Sequence, residues 1–469
     1  MSLLGHVKIY FSGAVIIKIV GLISLPVITN LLTPDEYGTY SVFLSYGAIT
    51  SVVLTLNLNS AVSRYWYEYR NDFNSFLGTS INISAIIFCV FSMLLILNRN
   101  HLSNILGISP NIFMLLVPYS LINIVFSFYK QLSIPQKRSF KITMVDLSRV
   151  LLGLLAGIGL MLIFKEDRIT SYIYGYIGSG LFITVFLLKY IFKWYENKLI
   201  SRHFKYILKY SLPLLPYTLS GIILTQFDRI MINSIIDPKS AGLYTLAYQI
   251  GMIFTAFSTA ILMAWTPDYF TLMNNKEYDT IDIFVTKMLH FLAVLCLAIS
   301  FYGEPIGMIL TGDQFHGGLK IIPIIAFSYL VSFVYEVWGR NIGYAKRTIW
   351  ISVIVLSSGI LNILLNKFLL PIYGYEIAAT TTLISYLFMS LLAFIVCKFI
   401  LRIHVVPLRR IMFPLFIALI GIILMEQLSN YGQSGLLSKT LLLLVLSVLL
   451  LHKYRNELSK IINKSVLSG

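Results

Sequence analysis

Thr33–Tyr40 reads TPDEYGTY, and Asp237–Tyr244 reads DPKSAGLY. Both fit Pro-x-x-x-Gly-x-Tyr, and no other stretch of the chain does. With 14 Pro, 29 Gly and 30 Tyr in 469 residues, chance supplies about 0.06 such matches, so the pair marks an internal repeat. Each copy stands between two long apolar runs. They read as equivalent turns on the outer side of two like halves: Pro starts the bend, Gly relieves crowding and Tyr anchors at the membrane interface.

The apolar runs set the class. The chain is 57% hydrophobic and 12% charged, against about 25% charged in a soluble domain. A helix crosses the hydrocarbon core in about 20 apolar residues. About fourteen candidate spans follow: 8–31, 40–62, 76–97, 111–133, 143–164, 171–192, 208–234, 241–265, 283–303, 319–339, 349–370, 375–397, 411–427 and 436–452. The last two are short, so twelve is the alternative count. The first run is too long for a signal-peptide core and has no cleavage site after it, which makes it a retained span. Cys89, Cys296 and Cys397 are scattered through apolar runs and make no disulfide framework or metal cluster.

The charges orient the spans. With the amino terminus in the cytoplasm, 26 of the 36 Lys and Arg fall on inside segments, seven outside and three within spans. That bias is a positive-inside signal and puts both termini in the cytoplasm. It also accounts for the net charge of +16 without nucleic acid.

Further echoes keep the order of the first. Gly47 and Gly251 match at the same offset as the opening pair; Lys137-Arg138-Ser139 answers Lys346-Arg347-Thr348; Tyr174-Gly175-Tyr176 answers Tyr373-Gly374-Tyr375. Six spans separate equivalent points, an even number, so the halves point the same way through the bilayer. The expected fold is an all-α polytopic membrane protein of two parallel, pseudo-symmetric six-helix lobes around a central cavity, plus a short C-terminal helix pair. The lobes would be residues 1–192 and 208–398, joined by a basic cytoplasmic connector at 193–207, with residues 399–469 holding spans 13 and 14 and a tail.

Ionisable groups inside spans are costly and face a cavity or a partner. Lys18 and Arg229 lie within the first span of each lobe and have no opposite charge at i±3 or i±4. They are candidates for an anionic substrate, Arg by bidentate contact and Lys as a point charge. Arg64, Arg149 and Arg340 are further substrate-binding candidates, although Arg64 and Arg340 also suit snorkelling to the inner interface. Asp146, Asp228, Glu336 and His290 are candidates for ion coupling or charge pairing. Asp146 and Arg149 stand three apart on one helix face and Glu336 and Arg340 four apart, so each couple can pair. His290 also reads as a packing histidine. No phosphate-binding loop, metal-ligand spacing or nucleophile–base set is present, so no catalytic site or metal is called.

The residues Asp228-Arg229 with Gly242-x-Tyr244, Pro34 with Gly38-x-Tyr40, and Tyr373-Gly374 with Ala378-Ala379 and the threonines after them resemble the polysaccharide transport family. These are Wzx-type O-antigen flippases of the multidrug/oligosaccharidyl-lipid/polysaccharide exporter superfamily, and the resemblance covers nearly the whole chain. It implies a two-lobe bundle in the bacterial cytoplasmic (inner) membrane. That bundle would move undecaprenyl-diphosphate-linked oligosaccharide from the cytoplasmic to the periplasmic leaflet by alternating access. It implies no cofactor beyond a coupling H+ or Na+. The implied partners are the lipid-linked oligosaccharide, membrane lipids, and the polymerase and chain-length machinery of surface polysaccharide. The alternatives are a drug or other lipid-linked glycan exporter on the same fold, which would favour cavity carboxylates, and a membrane polysaccharide polymerase, which would need a larger polar loop.

Overall fold

The structure, a computed structural model, describes residues 3–429 together with 440, 441 and 443. The described residues form helices joined by short connections. In hydrocarbon a helix satisfies its own backbone, which is why apolar runs of this length take no other form. In chain order the helices are α1 (Leu3–Leu31), α2 (Pro34–Val53), α3 (Ser60–Glu68), α4 (Phe73–Leu97), α5 (Arg99–Leu106), α6 (Pro110–Met114), α7 (Leu116–Ser133), α8 (Ser139–Ile163) and α9 (Arg168–Ile191). Then come α10 (Ser201–Ile235), α11 (Pro238–Gly251), α12 (Ile253–Asn275), α13 (Tyr278–Leu310), α14 (Ile322–Tyr344), α15 (Ile349–Tyr373), α16 (Ile377–Ile395) and α17 (Leu408–Ser429). Eleven segments among the described residues are long and apolar enough to span a bilayer. The chain is an all-α polytopic membrane protein. The thirteenth expected span corresponds to α17, and the fourteenth lies almost wholly outside the described residues.

The second expected span is not one helix. It breaks between α2 and α3, where Leu56 and Asn57 take φ of 50° and 56°. Such a break survives in a membrane only where protein covers it. Leu54, Thr55, Leu58 and Asn59 are buried, and Asn57 Nδ2 donates to Thr218 Oγ1 at 3.1 Å.

Two compact units interleave along the chain. The first holds residues 1–246, 308–318 and 348–385; the second holds 247–307, 319–347 and the described residues from Tyr386. In the first, α8 packs on α1 and α9, α7 on α2 and α9, and α10 on α2 and α15. In the second, α14 packs on α12, α17 and the turn of π-helix at Val396–Ile400.

The repeated phrases are not turns. Each is the start of a helix. Pro34 stands in the first turn of α2 behind a capping box, in which Glu36 N donates to Thr33 Oγ1 and Thr33 N to Glu36 Oε2. Pro is suited there because its missing N–H has no helical partner. Pro238 opens α11 behind Asp237, whose carboxylate accepts from Ser240 N at 2.6 Å. The tyrosines are not membrane anchors either. Tyr244 is fully buried, and Tyr40 packs edge-on to Tyr172 with ring centroids 4.9 Å apart.

The Lys-Arg echo does hold in the backbone. Lys137 and Lys346 both have φ 56°. Lys137 N donates to Ile134 O at 3.0 Å and Arg138 N to Ser133 O at 3.3 Å; Lys346 N donates to Gly343 O at 3.0 Å and Arg347 N to Ile342 O at 3.3 Å. This is the same left-handed helix C-cap twice. The Tyr-Gly-Tyr echo does not: Gly175 lies within α9 against the Ala156 carbonyl of α8, whereas Gly374 ends α15 at φ +75°.

Candidate functional site

The polar groups of the first unit gather along α10. Asp228 and Arg229 are adjacent there, so helical geometry sends their side chains about 100° apart. Both are buried, at 1% and 6% exposure. They serve different neighbours.

Asp228 faces α11, α15 and α16. Its carboxylate accepts from Tyr244 Oη at 2.8 Å, Asn366 Nδ2 at 2.7 Å and Thr382 Oγ1 at 2.8 Å. Asn366 in turn accepts from Thr381 Oγ1 at 2.5 Å and lies 3.4 Å from Asn362 Oδ1. Asn362 is fully buried, and its Nδ2 has no partner among the described residues. A carboxylate, two carboxamides and three hydroxyls thus share one buried nest. Oxygen sets of this kind suit a proton or a hard cation.

Arg229 faces the other way. Its guanidinium donates to Thr225 O at 2.8 Å and Gln226 Oε1 at 2.9 Å, and Gln226 Oε1 also accepts from Ser45 Oγ of α2 at 3.3 Å. Six residues along α2, about 9 Å at 1.5 Å per residue, Ser51 accepts from Asn123 Nδ2 at 3.3 Å. Asn123 Oδ1 takes the hydrogen bond of Arg149, whose guanidinium lies 4.7 Å over the Phe126 ring. Serines of α2 therefore meet two arginines, the buried Arg229 and the half-buried Arg149, through neutral carboxamides. The Arg149 Nε has no partner among the described residues.

Asp146 does not pair with Arg149. It binds Lys130 Nζ at 2.8 Å instead. Lys18, half-buried on α1, has no carboxylate partner among the described residues. Arg64 lies past the break, on α3. Its Nε donates to Glu68 Oε1 at 2.5 Å, and its guanidinium lies 4.9 Å from the Tyr210 ring centre. Hydrogen bonds from Arg64 and then Tyr206 hold the Glu68 carboxyl below the usual range.

The second unit holds the remaining candidates. Arg340 donates to Glu336 O at 2.6 Å and Oε2 at 3.3 Å, and to Thr266 Oγ1 at 3.3 Å, so the expected couple is formed on α14. His290 is buried; its Nδ1 bonds Thr286 O at 2.7 Å, and its ring lies beside Phe413.

Reasoning from ionisable residues alone missed Gln226, Asn123, Tyr244, Asn362, Asn366, Thr381 and Thr382. The available signal was the pair Asn362 and Asn366, one helical turn apart inside an apolar span.

A model of polysaccharide biosynthesis proteins matches residues 3–273, more than half of the chain. An Lsg locus protein of Haemophilus influenzae is 23% identical over 372 residues, covering 75% of this chain and 88% of its own. Among solved structures, the lipid II flippase MurJ in an inward closed conformation aligns with TM-score 0.75 at 16% identity, over 96% of this chain and 99% of that one. An inward-facing multidrug transporter of the MATE family aligns with TM-score 0.61 at 13% identity, over 84% and 94%. At these identities the two structures speak for the fold.

Proposed function

The chain belongs to the polysaccharide biosynthesis protein family, and on that premise we propose that it is a flippase for lipid-linked glycan. Its substrate is an undecaprenyl-diphosphate-linked oligosaccharide of the O-antigen type. It moves this substrate from the cytoplasmic to the periplasmic leaflet of the inner membrane, with both termini in the cytoplasm. It acts as a transporter rather than a catalyst.

One observation carries the reading: adjacent residues of α10 bear an arginine hydrogen-bonded to a backbone carbonyl and a carboxamide and a carboxylate in an oxygen nest. A diphosphate cannot enter hydrocarbon unaided, because each polar group left without partners costs several kcal/mol. Arg229 and Arg149 offer donors to it, joined by Lys18, and the hydroxyls and carboxamides of α2 and α7 replace water around the sugars. The lipid tail stays in the bilayer. Asp228 supplies the coupling. Arrival of a proton or Na+ removes the charge that Tyr244, Asn366 and Thr382 now bind, which loosens α10 from α11, α15 and α16 and moves Arg229 with it. An exporter of cationic drugs is less well supported, because the Asp228 carboxylate is closed off by three donors.

The test is complementation of a flippase-null strain. Arg229→Ala and Lys18→Ala are expected to insert at normal levels and to leave surface polysaccharide unrestored, with the lipid-linked repeat unit accumulating. Full surface polysaccharide from both variants would overturn the cationic seat. Restoration of drug resistance but not of polysaccharide would replace the substrate.

A further inference from the structure

The first unit carries a feature that transport does not use. A groove of about 370 Å³ lies between α4, α7 and α9. Ligand pockets run from about 300 to 1,000 Å³, so the groove is at the small end. Its walls are apolar, with Ile81, Phe88, Leu121, Phe128, Leu188 and Phe192 among them. It is open at the surface, where Ala85, Cys89, Leu121 and Phe192 are exposed. All three helices belong to segments long and apolar enough to span a bilayer, so this opening faces lipid.

The depth of the groove identifies its occupant. Phe192 stands one residue past the end of α9. Leu121 lies twelve residues inside the last residue of α7, Ser133, which is about 18 Å at 1.5 Å per residue. The hydrocarbon core is about 30 Å thick. The groove therefore runs from one interface to near the midplane, the length of a chain in one leaflet. The interface it starts from is basic. Lys189 and Lys193 sit beside Leu188 and Phe192 at the end of α9; both are exposed and neither has a carboxylate partner among the described residues. Lys198 nearby is already neutralised by Glu196 at 2.5 Å.

We propose that this groove is a binding site for an anionic phospholipid, one acyl chain lying between α4, α7 and α9 and the phosphate resting on Lys189 and Lys193. Basic residues at the cytoplasmic mouth of an interhelical pocket select acidic head groups. The charge bias puts this mouth in the cytoplasmic leaflet. The much longer polyprenyl tail of the transported lipid does not suit a groove that ends within one leaflet. The assignment stands apart from the transport reading, since it uses none of the residues assigned to it.

Native mass spectrometry of the delipidated full-length protein tests it, with phosphatidylglycerol and phosphatidylethanolamine as probes. Phosphatidylglycerol is expected to be retained at several-fold lower concentration. The double variant Lys189→Ala/Lys193→Ala is expected to bring it to the phosphatidylethanolamine level, and Ala85→Phe, which fills the groove, to reduce both. Lys276→Ala/Lys346→Ala, a pair of exposed lysines elsewhere, is expected to leave the preference intact. Equal retention of the two lipids, an unchanged double variant, or the same loss from the control pair overturns the site. Displacement of phosphatidylglycerol by an equal concentration of undecaprenyl phosphate also overturns it, in favour of the substrate's tail.

Discussion

Gly38 and Gly242 stand 204 residues apart and each occupies the space a side chain on the other's helix would need. A Cβ built on Gly38 falls 1.8 Å from the Pro238 carbonyl oxygen, and one on Gly242 falls 2.1 Å from the Pro34 carbonyl oxygen. Three residues on, Thr245 Oγ1 donates to Ser41 Oγ at 3.0 Å, again a pair with the repeat's own offset. The two copies of Pro-x-x-x-Gly-x-Tyr are thus each other's packing partners, and the glycines are there for close approach of two backbones.

Gly38→Ala and Gly242→Ala should each destabilise the protein, because the obstacle is backbone and cannot swing aside. Overpacking of this kind costs about 1–3 kcal/mol. Gly21→Ala, where an added Cβ meets nothing within 4 Å, is the matched control. Melting temperature by size-exclusion of the detergent-solubilised protein reads the effect. The double variant should cost less than the sum of the singles, since one shift of the helices relieves both contacts. Strict additivity would mean that the two glycines do not share one contact.

Asp228 predicts a separation of stability from function. Asp228→Ala leaves the Tyr244, Asn366 and Thr382 donors without their acceptor, at about 1–3 kcal/mol for each buried group left unpaired. That variant should express poorly. Asp228→Asn keeps the shape and an acceptor oxygen, so it should reach the membrane at near-normal level and lose the dependence of flipping on an ion gradient. Gradient-driven transport by Asp228→Asn equal to wild type would remove Asp228 from the coupling.

Much of this architecture was legible because hydrophobic runs of about 20 residues have few structural outlets in a bilayer. The duplication was legible in Lys137 and Lys346, whose shared backbone geometry a short Lys-Arg-Ser/Thr phrase announced. The break at Leu56 and Asn57 was not, because the alternating leucines of LTLNLN keep the run apolar on average; the strain is held by tertiary contacts such as Asn57 with Thr218. The site was half legible. Charges in spans stand out, whereas Asn366, Gln226 and Thr382 matter only through which helix faces them, and pairing by sequence spacing chose Arg149 for Asp146 when Lys130, from α7, was nearer.

The Lys and Arg bias predicts an orientation that cysteine accessibility tests. Lys141 and Lys239 are both exposed and fall on opposite sides in the positive-inside reading. In a background without the native cysteines, Lys141→Cys should react with a membrane-impermeant maleimide in inside-out vesicles and stay unlabelled in whole cells. Lys239→Cys should do the reverse. Labelling of both from one side would break the alternation of spans between them.

The last relationship is also duplicated, and it concerns the chain after each sixth span. Asp72, at the start of α4, accepts from Tyr65 Oη at 3.0 Å and pairs with Arg202 and, at 3.1 Å, with the buried His203. In the second unit Asp282, at the start of α13, pairs with His404 at 2.8 Å and Arg410 at 3.6 Å. The His404 ring stacks on Tyr278, and its carbonyl accepts from Asn341 Nδ2 at 2.7 Å. The aspartates are 210 residues apart and the histidines 201, close to the 204 and 209 of the other repeat pairs. The first cluster ties the start of the third span to the first turn of α10, just past the non-helical segment after the sixth; the second ties it to the non-helical 401–407 segment. In a two-unit transporter those segments must follow helix movement without unravelling, so the latch is expected to be local and independent. Asp72→Ala should raise hydrogen exchange and protease cleavage across 193–205 and leave 401–407 unchanged; Asp282→Ala should do the opposite. The second loss should be the larger, because Asp282 is 5% exposed against 33% for Asp72. If either variant loosened both segments equally, the clusters would be parts of one cooperative unit and not two copies of one device.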